Sequence, residues 1–136
     1  MGNLTQLKNI YLINNRLTSL PESFSNLKLL SGRLDLSNNR LTSLPSQIGN
    51  LQNITSLNLS RNNTLTYYYY NDQYYYDTCP AYGTLKTLPE SFGNLMNLTS
   101  FDASCSGLES LPESFGNLRT CLVSLQYQRN KSNVEH

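Results

Sequence analysis

An eight-residue pattern that returns four times constrains the fold of this 136-residue chain more than any other feature. The pattern is Leu-x-x-Leu-Pro-x-x-(Phe/Ile), and it begins at Leu17, Leu41, Leu85 and Leu108. Each copy is followed by Ser/Gly-Asn-Leu. A period of roughly 20–50 residues is typical of stacked repeats, in which one unit buries its apolar side chains only against its neighbours. One repeat is therefore not expected to fold alone.

A second pattern lies between these copies and reads apolar-x-x-apolar-x-apolar-x-x-Asn. Its last position is filled by Asn15, Asn39, Asn62, Ser106 and Asn130, with spacings of 24, 23, 44 and 24 residues. The long spacing equals one repeat plus an insertion of 21 residues. The apolar alternation within the pattern predicts short strands with one buried face. These strands should centre on residues 10–12, 34–36, 57–59, 101–103 and 125–127, parallel and in chain order.

Together the two patterns resemble the leucine-rich repeat family, whose signature is L-x-x-L-x-L-x-x-N-x-L. The L-P-x-x-[FI]-x-N-L half is most similar to the 23-residue intracellular class. The resemblance implies an α/β repeat solenoid, a right-handed arc with about five short parallel strands on its concave side. Loops or short helices would form the convex side. The expected segments are a first solenoid half at 1–66, an insert at 67–84 and a second half at 85–136.

The Asn column has an expected structural role. An Asn amide both donates and accepts hydrogen bonds, so it can pair backbone groups where the chain turns away from each strand. This role is assigned to Asn15, Asn39, Asn62 and Asn130. Ser106 is too short to make all of these bonds, so its repeat is expected to be weaker.

The strand residues that point to solvent form the candidate binding surface, because repeat proteins bind partners on their concave faces. A solvated face without a partner is the alternative. The central column of this surface contains Tyr11, Asp35, Asn58, Asp102 and Gln126. Tyr11 is the best single anchor, as the only large aromatic residue of that column. With the arginines beside them, the candidates are Tyr11, Ile13, Arg33, Asp35, Ser37, Asn58, Ser60, Arg61, Asp102, Ser104, Gln126 and Gln128.

The insert is unusually rich in tyrosine. It contains eight of the ten tyrosines of the chain, namely Tyr67, Tyr68, Tyr69, Tyr70, Tyr74, Tyr75, Tyr76 and Tyr82. Three interpretations stay open: a mobile low-complexity loop, an adhesive loop with tyrosine contacts, and a tyrosine-modification site. Tyrosine runs also have high β-propensity, which favours an extended ribbon.

Composition excludes several classes of function. The net charge of +1 argues against nucleic acid as a partner. The single histidine is His136, which leaves almost no material for a catalytic triad or a histidine metal site. No catalytic residues, metal or cofactor are therefore predicted. No apolar stretch is long enough to span a membrane, and no signal peptide is readable, which favours the cytoplasm. Three cysteines favour free thiols over a pairing of Cys79 with Cys105.

These observations predict a non-enzymatic module that binds a protein or peptide. Two alternatives stay open: a segment of a cell-surface adhesin or receptor ectodomain, and the recognition arm of a larger enzyme such as a kinase or ubiquitin ligase. The chain begins and ends within a repeat, which favours a fragment of a longer array. Its uncapped apolar ends are expected to promote self-association.

Overall fold

A parallel sheet of five short strands organises the chain. The computed structural model describes residues 7–64, 68–70, 73–75, 83–118 and 122–125. Within them, the sheet contains β1 (Ile10–Tyr11), β2 (Arg33–Asp35), β3 (Ser56–Asn58), β6 (Ser100–Asp102) and β7 (Leu122–Ser124), in that order. The parallel arrangement in chain order confirms the predicted repeat solenoid.

Two further strands lie within the insert. They are β4 (Tyr68–Tyr70) and β5 (Gln73–Tyr75), which pair antiparallel. Tyr70 pairs with Gln73, so only two residues separate the strands. The insert therefore contains a tight β-hairpin, in agreement with the high β-propensity of its tyrosines.

The strand register follows the buried apolar position of each repeat. Ile10, Leu34, Leu57, Phe101 and Val123 occupy equivalent positions on consecutive strands. Leu36 and Leu59, two residues further on, are completely buried. Leu12 is only partly buried, because the described sheet covers β1 on one side only.

The last strand differs from the prediction by two residues. Ser124, rather than Gln126, lies opposite Asp102, so β7 ends before the predicted centre at 125–127. A shift of two residues keeps the same side chains on the apolar face, since strand side chains alternate with period two. Val123 takes the inward position predicted for Leu125, and both pack against the core. Hydrophobic alternation alone does not distinguish the two registers.

The core is one apolar cluster that continues from repeat to repeat. In the fourth repeat Ala103 stands where earlier repeats have leucine, and Phe101, two residues before it, stands where they have isoleucine or leucine. Phe101 packs against Phe92 and Phe115, with ring centroids 4.9 and 5.9 Å away. The larger ring therefore fills space that the smaller alanine leaves.

Short 3-10 helices form the return segments on the other side of the core. They span Glu22–Asn26, Ile48–Asn50, Glu90–Asn94 and Glu113–Asn117. Each follows a proline or lies three residues beyond one, and the proline carbonyl accepts the N–H of the Phe or Ile that enters the core. Proline suits this place because its fixed φ and missing N–H exclude it from the strand ladder. Ile48, Phe92 and Phe115 are buried, and Phe24 is half-buried.

The Asn column ties adjacent repeats together. The Asn62 amide Nδ2 donates to the carbonyls of Leu59 (2.7 Å) and Leu36 (3.3 Å), and its Oδ1 accepts the N–H of Leu41 (3.0 Å). Asn39 repeats this arrangement one repeat earlier, with Leu36, Leu12 and Leu17. Each buried amide thus pairs backbone groups of its own repeat and of the preceding one.

The two ends of the column are simpler. Asn15 is exposed and donates only to carbonyls of its own repeat, those of Leu12 and Ile13. Ser106 is buried, and its hydroxyl donates to the Ala103 carbonyl at 2.6 Å. The Leu85 N–H goes to the backbone carbonyl of Ser106. Asn130 lies outside the described residues.

Replacement of Asn62 by alanine should be strongly destabilising. It would leave two carbonyls and one N–H buried without the amide, at a cost of about 1–3 kcal/mol for each unsatisfied group. We expect Asn62→Ala to lower the free energy of unfolding by about 3 kcal/mol in urea denaturation. Asn15→Ala is the matched control and should cost under about 1 kcal/mol, because Asn15 is exposed. Equal losses for the two variants would contradict the assigned role of the buried amides.

Candidate functional site

The open face of the sheet, meaning the side of the strands opposite the apolar core, carries the candidate binding residues. Its central row contains Tyr11, Asp35, Asn58, Asp102 and Ser124, which are mutually in register. Adjacent strands are about 4.8 Å apart, so a partner crossing the sheet would meet these positions in turn. The structure therefore brings together four of the five residues predicted for this row, with Ser124 in place of Gln126.

Asp35 is not available to a partner in the way the sequence predicts. Only 3% of its surface is exposed. Its Oδ1 accepts the hydroxyl and the N–H of Ser37 at 2.7 and 3.1 Å. Its Oδ2 forms an ion pair with the Arg33 guanidinium at 3.0 Å. Asp35 and Ser37 therefore fix the turn after β2 more than they present polar groups to solvent.

The same turn recurs after the next strands. Asn58 Oδ1 accepts the N–H of Ser60 at 2.9 Å. Asp102 Oδ1 accepts both the N–H and the hydroxyl of Ser104, at 2.9 and 2.6 Å. These four residues are half-buried. The recurrent Asp/Asn-x-Ser spacing is the sequence signal for this turn, because Asp and Asn side chains bond backbone two residues onward.

The large exposed side chains of the open face lie at β1, the segment after it and β2. Tyr11 is 58% exposed, Ile13 is 38% exposed and Arg33 is exposed. An aromatic ring, a branched aliphatic chain and a guanidinium thus lie on two neighbouring repeats. Arg61 is half-buried. Gln126 and Gln128 lie outside the described residues.

The surroundings of Asp35 lower the pKa of its carboxyl group. Burial of Asp35 by itself raises the pKa, but the two hydrogen bonds from Ser37 and the neighbouring Arg33 outweigh it, so the pKa lies below its usual value. Hydrogen bonds and an opposite charge both favour the ionised form. The ionised carboxylate of Asp35 therefore stabilises the folded form of the second repeat.

The base of the insert is closed by backbone contacts. Asn63 and Gly83 form an antiparallel bridge, and Gly83 lies against Gly107 of the following repeat. A Cβ on Gly83 would lie 2.5 Å from the Gly107 Cα, and Gly107 itself has φ of +94°. Glycine is required at both places, at one for close approach and at the other for the positive φ. The insert thus leaves and re-enters the stack at one point.

Five of the eight insert tyrosines lie on the described hairpin strands. Tyr67, Tyr76 and Tyr82 lie outside the described residues. Tyr68, Tyr69, Tyr70, Tyr74 and Tyr75 belong to the hairpin strands. Their register supports a ribbon, and the three functional interpretations of the insert stay predictions.

Each of the first four repeats turns away from its strand through one residue in the left-handed region. These residues are Asn14, Asn38, Arg61 and Cys105, with φ between 56° and 60°. Asparagine is enriched at such φ values, whereas cysteine is not. Cys105 is also disulfide-bonded, so the expectation of free thiols is wrong at this position. Cys79 and Cys121, the other two cysteines, lie outside the described residues.

The described residues also bear on a metal site and on a membrane span. Among the described residues, no group of three His, Cys, Asp or Glu side chains is placed to hold a metal ion. No helix in those residues has the length and apolar character that a membrane span requires.

Comparison with known proteins agrees with this geometry. A family model described as Leucine Rich Repeat matches residues 6–27 and 33–51. The two matched segments are leucine-rich repeats, and the chain as a whole is similar to leucine-rich repeat proteins. No curated protein matches the chain. Among solved structures, 44 chains match.

The leucine-rich repeat protein LIC12759 of Leptospira interrogans is one such structure. It is 26% identical, with a TM-score of 0.55 and coverage of 90% of this chain. The present chain spans only 32% of that protein. The leucine-rich repeat domain of the type III effector XCV3220 (XopL) also matches, with 15% identity and a TM-score of 0.40. That match covers 89% of this chain and 69% of the effector domain.

Stability should depend on pH through Asp35. Its pKa is lower in the folded chain than the usual unfolded value of about 3.9, so ionisation stabilises the fold above that value. This contribution is lost as the pH falls through the folded pKa. We expect urea unfolding of Asp35→Asn to depend less on pH between 7 and 2 than that of the wild type. Arg33→Ala should reduce the dependence only partly, since both Ser37 bonds remain. An unchanged pH dependence in Asp35→Asn would contradict this assignment.

The glycine contact at the base of the insert should be sensitive to a single methyl group. Gly83→Ala forces backbone apart, and overpacking of this kind costs about 1–3 kcal/mol. Gly116→Ala is the matched control, because a Cβ there meets nothing within 4 Å. We expect thermal unfolding to show a clear decrease in Tm for Gly83→Ala and little change for Gly116→Ala. Similar Tm values would mean that the base of the insert is less closely packed than described.

Proposed function

We propose that this leucine-rich repeat chain is a non-enzymatic module that binds a protein or peptide on the open face of its sheet. The observation that carries the proposal is the exposed group of Tyr11, Ile13 and Arg33 on β1 and β2. Tyrosine and arginine are the residue types that most often dominate binding energy at protein interfaces. The matching family model is a leucine-rich repeat, and repeat proteins bind partners on extended concave surfaces, which supports a binding role.

The polar half of the open face favours a partner that contributes backbone hydrogen bonds. Arg33 already pairs with Asp35, so its charge is largely compensated. The other polar groups of this face include the half-buried Asn58, Ser60 and Asp102, and Asp102 already accepts two hydrogen bonds from Ser104. These groups suit the peptide groups of an extended segment better than a strongly charged ligand. Apolar anchoring would come from Tyr11 and Ile13, and polar recognition from β3 and β6.

One observation favours a specific setting for this module. A disulfide-bonded Cys105 is typical of oxidising compartments, which supports the adhesin or receptor-ectodomain alternative over the cytoplasm. The chain spans about a third of the Leptospira interrogans protein, so the activity of a longer protein is a separate question. The enzyme-arm alternative has no observation in its favour here.

Selection of peptides from a random phage-displayed library, followed by titration against variants, tests this proposal. Peptides selected on the wild-type chain should lose at least about 30-fold in affinity for Tyr11→Ala, the loss expected of an interface hot spot. Arg33→Ala should weaken binding less, because the Arg33 charge is already largely compensated by Asp35. Replacement of 67–78 by a Gly/Ser link, which keeps Cys79 and Gly83, tests the contribution of the tyrosine-rich insert separately.

Met96 supplies the matched control for Tyr11. It is 62% exposed, directly follows the 3-10 helix Glu90–Asn94 and its cap, and is therefore remote from the open face. Met96→Ala should leave peptide affinity within about twofold. If Met96→Ala abolishes binding while Tyr11→Ala does not, the binding site lies on the return side. If only the insert replacement abolishes binding, the insert is the binding element and the proposal is wrong.

A further inference from the structure

We propose that Cys79 is the disulfide partner of Cys105, and that this bond ties the tyrosine-rich insert to the carboxyl end of β6. The starting point is the disulfide-bonded state of Cys105. The chain contains only two other cysteines, Cys79 and Cys121. The choice between them follows from the strand register and from the closed base of the insert. It does not depend on what the open face binds.

The register of β7 excludes Cys121. Cys121 is covalently joined to Leu122, and Leu122 lies opposite Ser100 at the start of β6. Cys105 is five residues further along, beyond the opposite end of that strand. Ala103 still bonds β7 through its N–H and lies three residues beyond Ser100, which is about 10 Å at a strand rise of about 3.3 Å per residue, and Cys105 follows it. A disulfide requires Cα atoms within about 7 Å of each other.

Both ends of the insert contact the segment that contains Cys105. At the exit, the Asn63 side-chain amide donates to the Cys105 carbonyl at 3.5 Å. At the return, Gly83 packs against Ser106 and Gly107, the two residues that follow Cys105. Cys79 precedes Gly83 by four residues, which span at most about 14 Å when fully extended. Cys79 is therefore within reach of Cys105 without displacement of any strand.

The backbone conformation at Cys105 also supports a disulfide at this position. Its φ of 59° lies in the left-handed region, where the first two repeats have asparagine. A cysteine there replaces a residue type that suits the turn, so another interaction must compensate for the conformation. A disulfide at the point where the insert leaves and re-enters the stack supplies such an interaction. It closes a loop of roughly 25 residues and restricts the unfolded chain.

Formation of the bond is a two-electron oxidation. The Cys79 and Cys105 thiols each lose a proton, the S–S bond forms, and two electrons pass to a disulfide oxidant that is reduced to two thiols. Such oxidants act in oxidising compartments. The pairing therefore implies maturation outside the reducing cytosol. This differs from the cytoplasmic location that the N-terminal sequence alone favours.

A tryptic map of the full chain under non-reducing conditions tests the pairing. The lysines and arginines place Cys79 in the peptide 62–86, Cys105 in 87–119 and Cys121 in 120–129. Protein folded with oxidised glutathione and blocked by iodoacetamide should yield a linked 62–86/87–119 species, with Cys121 alkylated. A link between 87–119 and 120–129 would overturn the proposal, as would three alkylated peptides or a linkage found only in dimers.

Single variants provide a second readout. Cys121→Ser is the control and should keep the linked species. Dithiothreitol should lower the Tm of the wild type and of Cys121→Ser by on the order of 10 °C. It should leave the Tm of Cys79→Ser and Cys105→Ser unchanged, since these variants have no bond to reduce. Loss of the reductant effect in Cys121→Ser, with retention in Cys79→Ser, would assign the bond to Cys121 instead.

Discussion

The buried amides of Asn39 and Asn62 are the interaction on which this stack depends. Strands of only two or three residues cannot pair all their backbone groups with one another, and the turns that follow them are buried. Each amide bonds carbonyls of its own repeat and of the preceding one, and accepts an N–H from the preceding return segment. The same bonds that satisfy the turn therefore also fix the stacking register. Core leucines and 3-10 helices follow from that register.

The fourth repeat has the same fold as the others, but different residues hold its turn and fill its core. Serine replaces asparagine at position 106, and alanine replaces leucine at position 103. Its turn is held by one hydroxyl bond to the Ala103 carbonyl and by the close contact between Gly83 and Gly107. Its core is filled by the three rings of Phe92, Phe101 and Phe115. The loss of the recurrent asparagine and leucine is thus offset within the same repeat, at the place where the insert joins the stack.

Sequence reasoning predicted the parts of the structure that depend on spacing. The parallel sheet, its order and four of its five strand positions follow from the apolar alternation and the Asn column. The register of β7 did not, because Val123 and Leu125 both satisfy an alternation of period two. The burial of Asp35 was missed, because a polar residue on a strand suggests exposure until its bonds to Ser37 are considered. The insert hairpin was consistent with propensity, but its closure depends on a glycine contact across repeats.

Because the base of the insert is closed, the length of the insert does not change how the repeats on either side of it stack. β3 and β6 are paired as regularly as β2 and β3, although the inserted residues lie between them. The entropy of closing a loop grows only with the logarithm of its length. Segments of other lengths should therefore be tolerated between Asn63 and Gly83, provided that they keep a cysteine that reaches Cys105. Evolution can diversify this margin of the protein while the core sequence stays constant, and the same junction is a natural place to graft a foreign loop.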